Sequence, residues 1–273
     1  MDLTSIPDLA VIAAIGLLGG MLGGILGLGG SLLIIPALTL AFGPNQHLYQ
    51  AAALIVNVLV AATATLRHRG RGTIRRDLVP TLAIVAGLAA VLGVLTSNLF
   101  DAKRLMAIFG FFLLSCALSE IVGLARRNSA SEPDGSDARA TKSRAGGVGF
   151  LGGFASGLLG IGGGAIMVPL LRGWIRLPMR QAVACSAATM ILACVIGSIA
   201  KNATVGSLRA PSGEALTLQQ SLWLATLLGP TATLGASLGA SLVYRLPVRL
   251  IRALLAALLI IAGARMVIGG LSA

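Results

Sequence analysis

Charged and aromatic residues are scarce in this sequence. Only 11% of the 273 residues are Asp, Glu, Lys or Arg, and 4% are Phe, Trp or Tyr, whereas about a quarter of a soluble domain is charged. The composition therefore argues against a soluble protein. The three cysteines all fall in apolar segments, where they are typical of small core residues rather than of a disulfide framework or a metal site. We expect no metal and no cofactor.

The sequence also lacks the patterns of familiar catalytic and nucleotide-binding sites. No HExxH motif, Ser/His/Asp set or carboxylate pair falls within an apolar segment, so we predict no catalytic residue and no enzyme. The GxGG runs lack the Lys-Ser/Thr of a P-loop. The net charge of +12 comes largely from basic residues in short loops, which is typical of membrane topology and not of nucleic-acid binding.

Long hydrophobic segments dominate what remains. Hydrophobic residues make up 56% of the chain, and the mean hydropathy is +0.92. Several nearly uncharged windows of about 18–25 residues are long enough to cross a bilayer. We predict an all-α, polytopic membrane protein in contact with the lipid bilayer, whose first apolar segment is retained. The predicted spans are 9–42, 48–66, 78–99, 103–125, 147–175, 181–200, 219–243 and 248–270.

One Gly-rich segment occurs twice, 133 residues apart. Residues 16–38 read GLLGGMLGGILGLGGSLLIIPAL and residues 149–171 read GFLGGFASGLLGIGGGAIMVPLL, with 11 of 23 aligned positions identical. We therefore predict two homologous four-segment repeats, at 1–125 and 147–273, joined by a polar cytoplasmic linker at 126–146. Paired Gly/Pro-interrupted segments of this kind are typical of transporter binding sites.

Two topologies fit this pattern. If all eight spans cross with the N-terminus inside, 13 basic residues lie inside and 8 outside. If each Gly-rich segment instead breaks and returns to the same side, the count is 16 inside and 5 outside. We favour this second, re-entrant arrangement, in which the halves are inverted, because it agrees better with the positive-inside rule.

Each Gly-rich segment has two parts. Glycines spaced by four, such as Gly16, Gly20 and Gly24, predict close helix packing. The denser run that follows predicts a helix break, because several glycines in five positions cost about 1 kcal/mol each in a helix. A helix that resumes there would direct free backbone N–H groups into the membrane, which favours an anion; the alternative is a tight bend without a ligand. The candidate donors are Gly29, Gly30, Ser31, Gly162, Gly163 and Gly164.

Few other polar residues lie within the spans, and we find no charged residue near the centre of one. Asn57, Ser186 and Thr189 are candidates for substrate contact, although such residues also bond neighbouring helices. Pro36 and Pro169 follow the glycine runs and predict helix kinks.

The doubled motif GLGGSLLIIP and GIGGGAIMVP resembles the TauE/SafE family of sulfite exporters and related permeases, over essentially the whole chain. The resemblance implies transport of small inorganic or organosulfur anions across the bacterial inner membrane. Members typically carry a Gly-Thr-Ser-like element after each Gly segment. Here those positions read Ala51-Ala52-Ala53 and Ala184-Cys185-Ser186, which leaves the substrate open and makes the two half-sites unequal.

The sequence thus predicts a transporter, with export of an anion down the membrane potential as a sufficient mechanism. A channel-like anion pore and a non-transporting scaffold or receptor are the alternatives. A homodimer is a candidate assembly.

Overall fold

The fold consists of helices joined by short connections. The computed structural model describes residues 6–26, 29–69, 74–125, 141–211, 213–242 and 248–271, and no strand occurs among them. The helices are α1 (Ile6–Leu26), α2 (Ser31–Phe42), α3 (Gln46–Arg69), α4 (Val79–Asn98), α5 (Ala102–Ala125), α6 (Lys142–Leu159), α7 (Gly164–Gly173), α8 (Met179–Thr204), α9 (Leu218–Leu242) and α10 (Val248–Leu271), with a 3-10 turn at Val205–Ser207.

Seven of the described helices are long and apolar enough to cross a bilayer: α1, α3, α4, α5, α8, α9 and α10. The prediction of an all-α, polytopic membrane protein is therefore confirmed. The chain breaks at both glycine runs, since α1 ends at Leu26 and α2 begins at Ser31, while α6 ends at Leu159 and α7 begins at Gly164. The predicted spans 9–42 and 147–175 are thus each two helices.

Two predicted boundaries differ from the structure. Helix α6 begins at Lys142, inside the segment predicted as linker, and residues 126–140 of that linker lie outside the described part of the chain. Helix α8 continues to Thr204, so Lys201, which follows the predicted span 181–200 and was therefore expected in the connection to the next span, belongs to a helix. Four further residues of that helix follow the predicted end at 200 because Ala-Lys-Asn-Ala-Thr carries no breaker.

After each break the chain reverses and packs against the helix it has just left. In the first half, Gly19 lies against Ile34 of α2, and Gly23 lies against Gly30. In the second half, Gly152 lies against Met167 of α7. The pairs α1–α2 and α6–α7 are therefore hairpins, which we call the first and second Gly hairpin.

The two Gly hairpins point in opposite directions. Successive residues of α1 contact successive residues of α9 in the same order along the chain, and the same holds for α6 and α4. Both pairs of helices are therefore parallel. Helices α3 and α8 run antiparallel, because His47 meets Lys201 near the end of α8, whereas Asn57, further along α3, lies beside the same glycine as Met190, which is earlier in α8. Since α9 runs with α3 and α4 runs with α8, α1 and α6 are opposed. Opposite directions of α1 and α6 are what two inverted halves would require. That the two halves are homologous repeats stays a prediction.

The glycines spaced by four form the helix contacts predicted for them. Gly20 and Gly24 face the backbone of Ala232 and Ala236 on α9, and Gly153 and Gly157 face α4 at Ala86 and Ala90. A Cβ atom on any of the four would overlap a backbone atom of the neighbour. Because no side chain intervenes, the two helix backbones touch directly.

This contact predicts the effect of Gly157→Ala. The added methyl would meet Ala90 O, whereas the same change at Gly146, on the same helix, meets nothing within 4 Å. We expect Gly157→Ala to lower the stability by about 1–3 kcal/mol and Gly146→Ala to leave it unchanged or slightly raised. Thermal unfolding in detergent checks this, and equal melting temperatures for the two variants would contradict it.

Candidate functional site

The two glycine breaks meet where α3 crosses α8. A Cβ atom on Gly29 would lie 2.9 Å from Met190 Cε and 3.1 Å from Ile161 O, and one on Gly162 would lie 2.6 Å from the same Met190 carbon. Both breaks also lie beside Asn57, within 3.4 Å of such an added Cβ. The residues at this crossing therefore come from four separate segments, and we call the place the central site.

Asn57 connects the two Gly hairpins. Its Nδ2 donates to Ser31 Oγ at 2.7 Å in the first hairpin and to Gly160 O at 3.3 Å in the second. Its Oδ1 is buried and has no hydrogen-bond partner among the described residues. An orphaned buried acceptor is costly in a membrane interior, so the amide is fixed in place but not fully satisfied.

Gln50 adds another contact from α3 to the second Gly hairpin. Its Nε2 donates to Leu158 O at 3.1 Å, near the end of α6. Gln50 and Asn57 are seven residues apart and thus lie on one face of α3. Sequence reasoning missed Gln50, although this spacing from Asn57 could have indicated it.

Gly29 and Gly162 need glycine for their conformation as well as for their contacts. Their φ angles are +84° and +77°, in the left-handed region that costs other residues about 1–2 kcal/mol. The close approach to Met190 and Asn57 leaves no room for a side chain.

The predicted site residues are all buried, but they face different ways. Gly29, Ser31, Asn57 and Gly162 meet at the central site. A Cβ on Gly30 or Gly163 would instead point back into its own hairpin, toward Gly19 or Gly152.

Ser186 lies one turn before Met190 on α8, and Thr189 directly precedes it. The hydroxyls of both residues are buried and have no partner among the described residues. They are therefore near the central site along the helix and free to bond another group.

The two prolines lie inside α2 and α7 as predicted, but neither is at the crossing. Pro36 lines an apolar groove between the first Gly hairpin and α10, and Pro169 is exposed.

At both hairpin tips, several backbone N–H groups have no backbone acceptor among the described residues. In α2 the N–H groups of Leu33 and Ile34 bond Gly30 O, and in α7 those of Ile166 and Met167 bond Gly163 O. The N–H groups just before them make no backbone hydrogen bond in the described part of the chain. They belong to Ser31, Leu32, Gly162, Gly163, Gly164 and Ala165. Such groups, at the positive end of a helix dipole, favour an anion.

A surface loop is fixed to α8 close to Ser186. The backbone N–H of Arg75 donates to Cys185 Sγ at 3.3 Å, and the Arg75 guanidinium makes two hydrogen bonds to Asp77, of 2.9 and 2.8 Å. The hydrogen bond from Arg75 holds the pKa of the exposed Asp77 carboxyl below its ordinary value. The described residues just before α4 are thereby attached to the first half of α8, one residue before Ser186.

Comparison with known proteins gives one family match. The family described as "Sulfite exporter TauE/SafE" matches residues 12–266. A "probable membrane transporter protein" of Bacillus subtilis, YunE, is 28% identical over 69% of this chain and 76% of its own length. One of Xylella fastidiosa is 31% identical over 62% of this chain and 65% of its own. No solved structure matches the chain.

A third relative is considerably longer than this chain. The "probable membrane transporter protein MamO" of Paramagnetospirillum magneticum is 27% identical over 85% of this chain, which spans only 40% of that protein.

The hydrogen bond between Asn57 and Ser31 predicts energetic coupling between the two residues. In a double-mutant cycle of Asn57→Ala and Ser31→Ala, we expect the two losses of stability to be non-additive by about 1 kcal/mol, the net worth of one buried hydrogen bond. Asn57→Ala and Thr63→Ala should be additive, because the described hydrogen bond of the Thr63 hydroxyl is to Leu59 O on its own helix. Unfolding free energies measure both cycles, and additivity in the first would contradict the contact.

Proposed function

The chain belongs to the TauE/SafE family of membrane transporters, and we propose that it carries small anions, of the sulfur oxyanion or organosulfonate class, across the bacterial inner membrane. The family name and the names of the relatives are those of transporters. The observation that supports the anion best is the convergence of two hairpin tips with free backbone N–H groups at one buried place.

The described part of the central site offers hydrogen-bond donors without a charged side chain. Asn57, Ser31, Ser186 and Thr189 are neutral, and the glycines contribute backbone alone. A negative ligand would therefore be held by helix ends and hydroxyls. Weak coordination of this kind lets an anion leave again, which transport requires.

The site is closed to solvent in this conformation, because all the predicted site residues are buried. Access requires the Gly hairpins to move against α3 and α8. The hydrogen bonds that this movement would break include, among the described residues, one from Asn57 to each hairpin and one from Gln50 to the second. Alternating exposure of a fixed site between inverted halves is the usual mechanism in such transporters.

The membrane potential is a sufficient driving force for export. Each elementary charge gains about 2.3 kcal/mol per 100 mV on leaving a negative interior. A tenfold gradient corresponds to about 1.4 kcal/mol, so a divalent anion could be expelled against a large gradient without a coupled ion.

Anion flux into proteoliposomes tests the function. Purified protein under an imposed potential should move at least one of sulfite, thiosulfate, sulfoacetate, formate and chloride with saturable, potential-dependent kinetics. Gly162→Leu should abolish that flux, because the side chain would fill the central site, while Gly146→Leu, on an open face of the same hairpin, should retain it. Folding of each variant is verified by its elution as a monodisperse species.

The alternatives give different results in the same assay. A channel-like pore would show flux that neither saturates nor responds to anion on the opposite side. A scaffold would show no flux of any anion with folded, correctly inserted protein. Symport with a cation would contradict the uncoupled mechanism.

The re-entrant arrangement predicts the sidedness of the loops. Residues 126–146 and the connection between α3 and α4 should face the cytoplasm, since this places the basic clusters inside. The cysteine of Ser143→Cys should react with a membrane-impermeant thiol reagent only in inside-out vesicles. The cysteine of Ser207→Cys should react with it only in intact cells. The opposite pattern would overturn the orientation, and the same side for both positions would overturn the topology.

A further inference from the structure

A lysine is buried away from the central site. Lys201 on α8 has no exposed surface, and its Nζ contacts three neighbours: His47 Nδ1 at 3.0 Å, Ser97 Oγ at 2.8 Å and Asn98 Oδ1 at 2.8 Å. These contacts bring together α3, α4 and α8. They use all three donors of the ammonium group.

The charge of Lys201 has no opposite charge beside it. Its partners are a hydroxyl, an amide oxygen and an imidazole nitrogen that accepts, while the other ring nitrogen of His47 donates to Phe100 O at 3.1 Å. In the described part of the chain the ion pairs are Arg75–Asp77 and Arg104–Asp101, and neither includes Lys201. Buried charges are normally paired, so a protonated Lys201 lacks a counter-charge among the described residues.

A cavity open to the surface lies next to this cluster. It has a volume of about 400 Å³ and is lined by His47, Phe100, Asp101, Lys103, Arg209 and neighbouring loop residues. The imidazole of His47 forms the wall between the cavity and the Lys201 ammonium. Lys103 and Arg209 add two positive side chains, and the one acidic residue named in the lining, Asp101, is already paired with Arg104 at 3.4 Å.

We propose that this cavity is an anion-binding vestibule, in which a small oxyanion supplies the counter-charge that Lys201 lacks. The proposal rests on the proposed function, because it names a second station for the same class of ligand. The anion binds among Lys103, Arg209 and His47, with the Lys201 charge behind the imidazole.

The same two helices build the vestibule and the central site. Helix α3 carries His47 at the vestibule and Asn57 at the central site. Helix α8 carries Lys201 at the vestibule end and Met190 at the central site. Ten residues of helix separate His47 from Asn57, a rise of about 15 Å. The vestibule is formed by the start of α3, the connection between α4 and α5 and the segment after α8, which all lie at one end of the molecule. It is therefore at the end opposite the C-terminus of α5 and the start of α6.

The local potential in the vestibule can be measured without transport. Ala210 lines the cavity, and Leu218 is half-exposed, starts α9 at the same end of the molecule and is absent from that lining. The variants Ala210→Cys and Leu218→Cys each provide one new thiol. Each variant is treated separately with two methanethiosulfonate reagents, an anionic one that carries a sulfonate and a cationic one that carries a trimethylammonium group. The parent chain, with its three native cysteines, gives the background.

We expect the ratio of anionic to cationic labelling rates to be about fivefold higher at the vestibule thiol than at the control thiol. Sulfite should slow labelling of the vestibule thiol only. The ratio should fall toward the control value in the double variant Lys103→Gln/Arg209→Gln, which changes two surface residues. It should fall likewise in Lys201→Met, provided that this variant folds. Arg265→Gln, an exposed basic residue on α10, should leave it unchanged.

Equal ratios at the two thiols, or no effect of Lys103→Gln/Arg209→Gln, would overturn the vestibule even if the wild-type protein transports anions. A raised ratio with sulfite protection, together with no flux of any anion, would support the vestibule and overturn the proposed function. The two proposals can therefore fail separately.

Discussion

The absence of a side chain at Gly29 and Gly162 is the constraint on which the rest of this structure depends. Only because both positions are bare can two chain reversals from opposite halves reach the same crossing of α3 and α8. The break also leaves N–H groups there without a backbone acceptor among the described residues, whereas a continuous helix would use them in its own hydrogen bonds. The glycine breaks thus allow both the close packing of the two hairpins and the N–H groups proposed to bind a ligand. A substitution at Gly29 or Gly162 would therefore affect both.

The centre is geometrically paired but chemically unequal. Asn57 and Met190 differ by 133 positions, the same offset as Gly29 and Gly162, and both residues touch both breaks. One position of the pair is an amide with two hydrogen bonds, whereas the other is a flexible thioether. The hairpins are therefore tied through α3 and merely packed against α8, so the α8 side is the weaker support.

The sequence predicted the helical membrane class, the two breaks and the presence of Asn57 at the centre, because apolar length and glycine density are local signals. It did not predict that Asn57 bonds Gly160, 103 residues away, since nothing local specifies that contact. Lys201 was placed in a loop because polarity rises after residue 200. Its spacing from Cys194 and Gly197, which are also buried, continues one face of α8 and was the signal that could have identified it.

In the proposed mechanism, the neutral central site and the buried Lys201 have separate roles in handling an anion. A full positive charge at the centre would hold an anion too tightly to release, while neutral donors alone would attract few anions from solution. A positive charge near the end of α8, about 15 Å along the helix from the crossing, would raise the anion concentration at the vestibule without strengthening anion binding at the central site. Because α3 and α8 carry residues of both places, an anion bound beside His47 would act on the same two helices that close the central site.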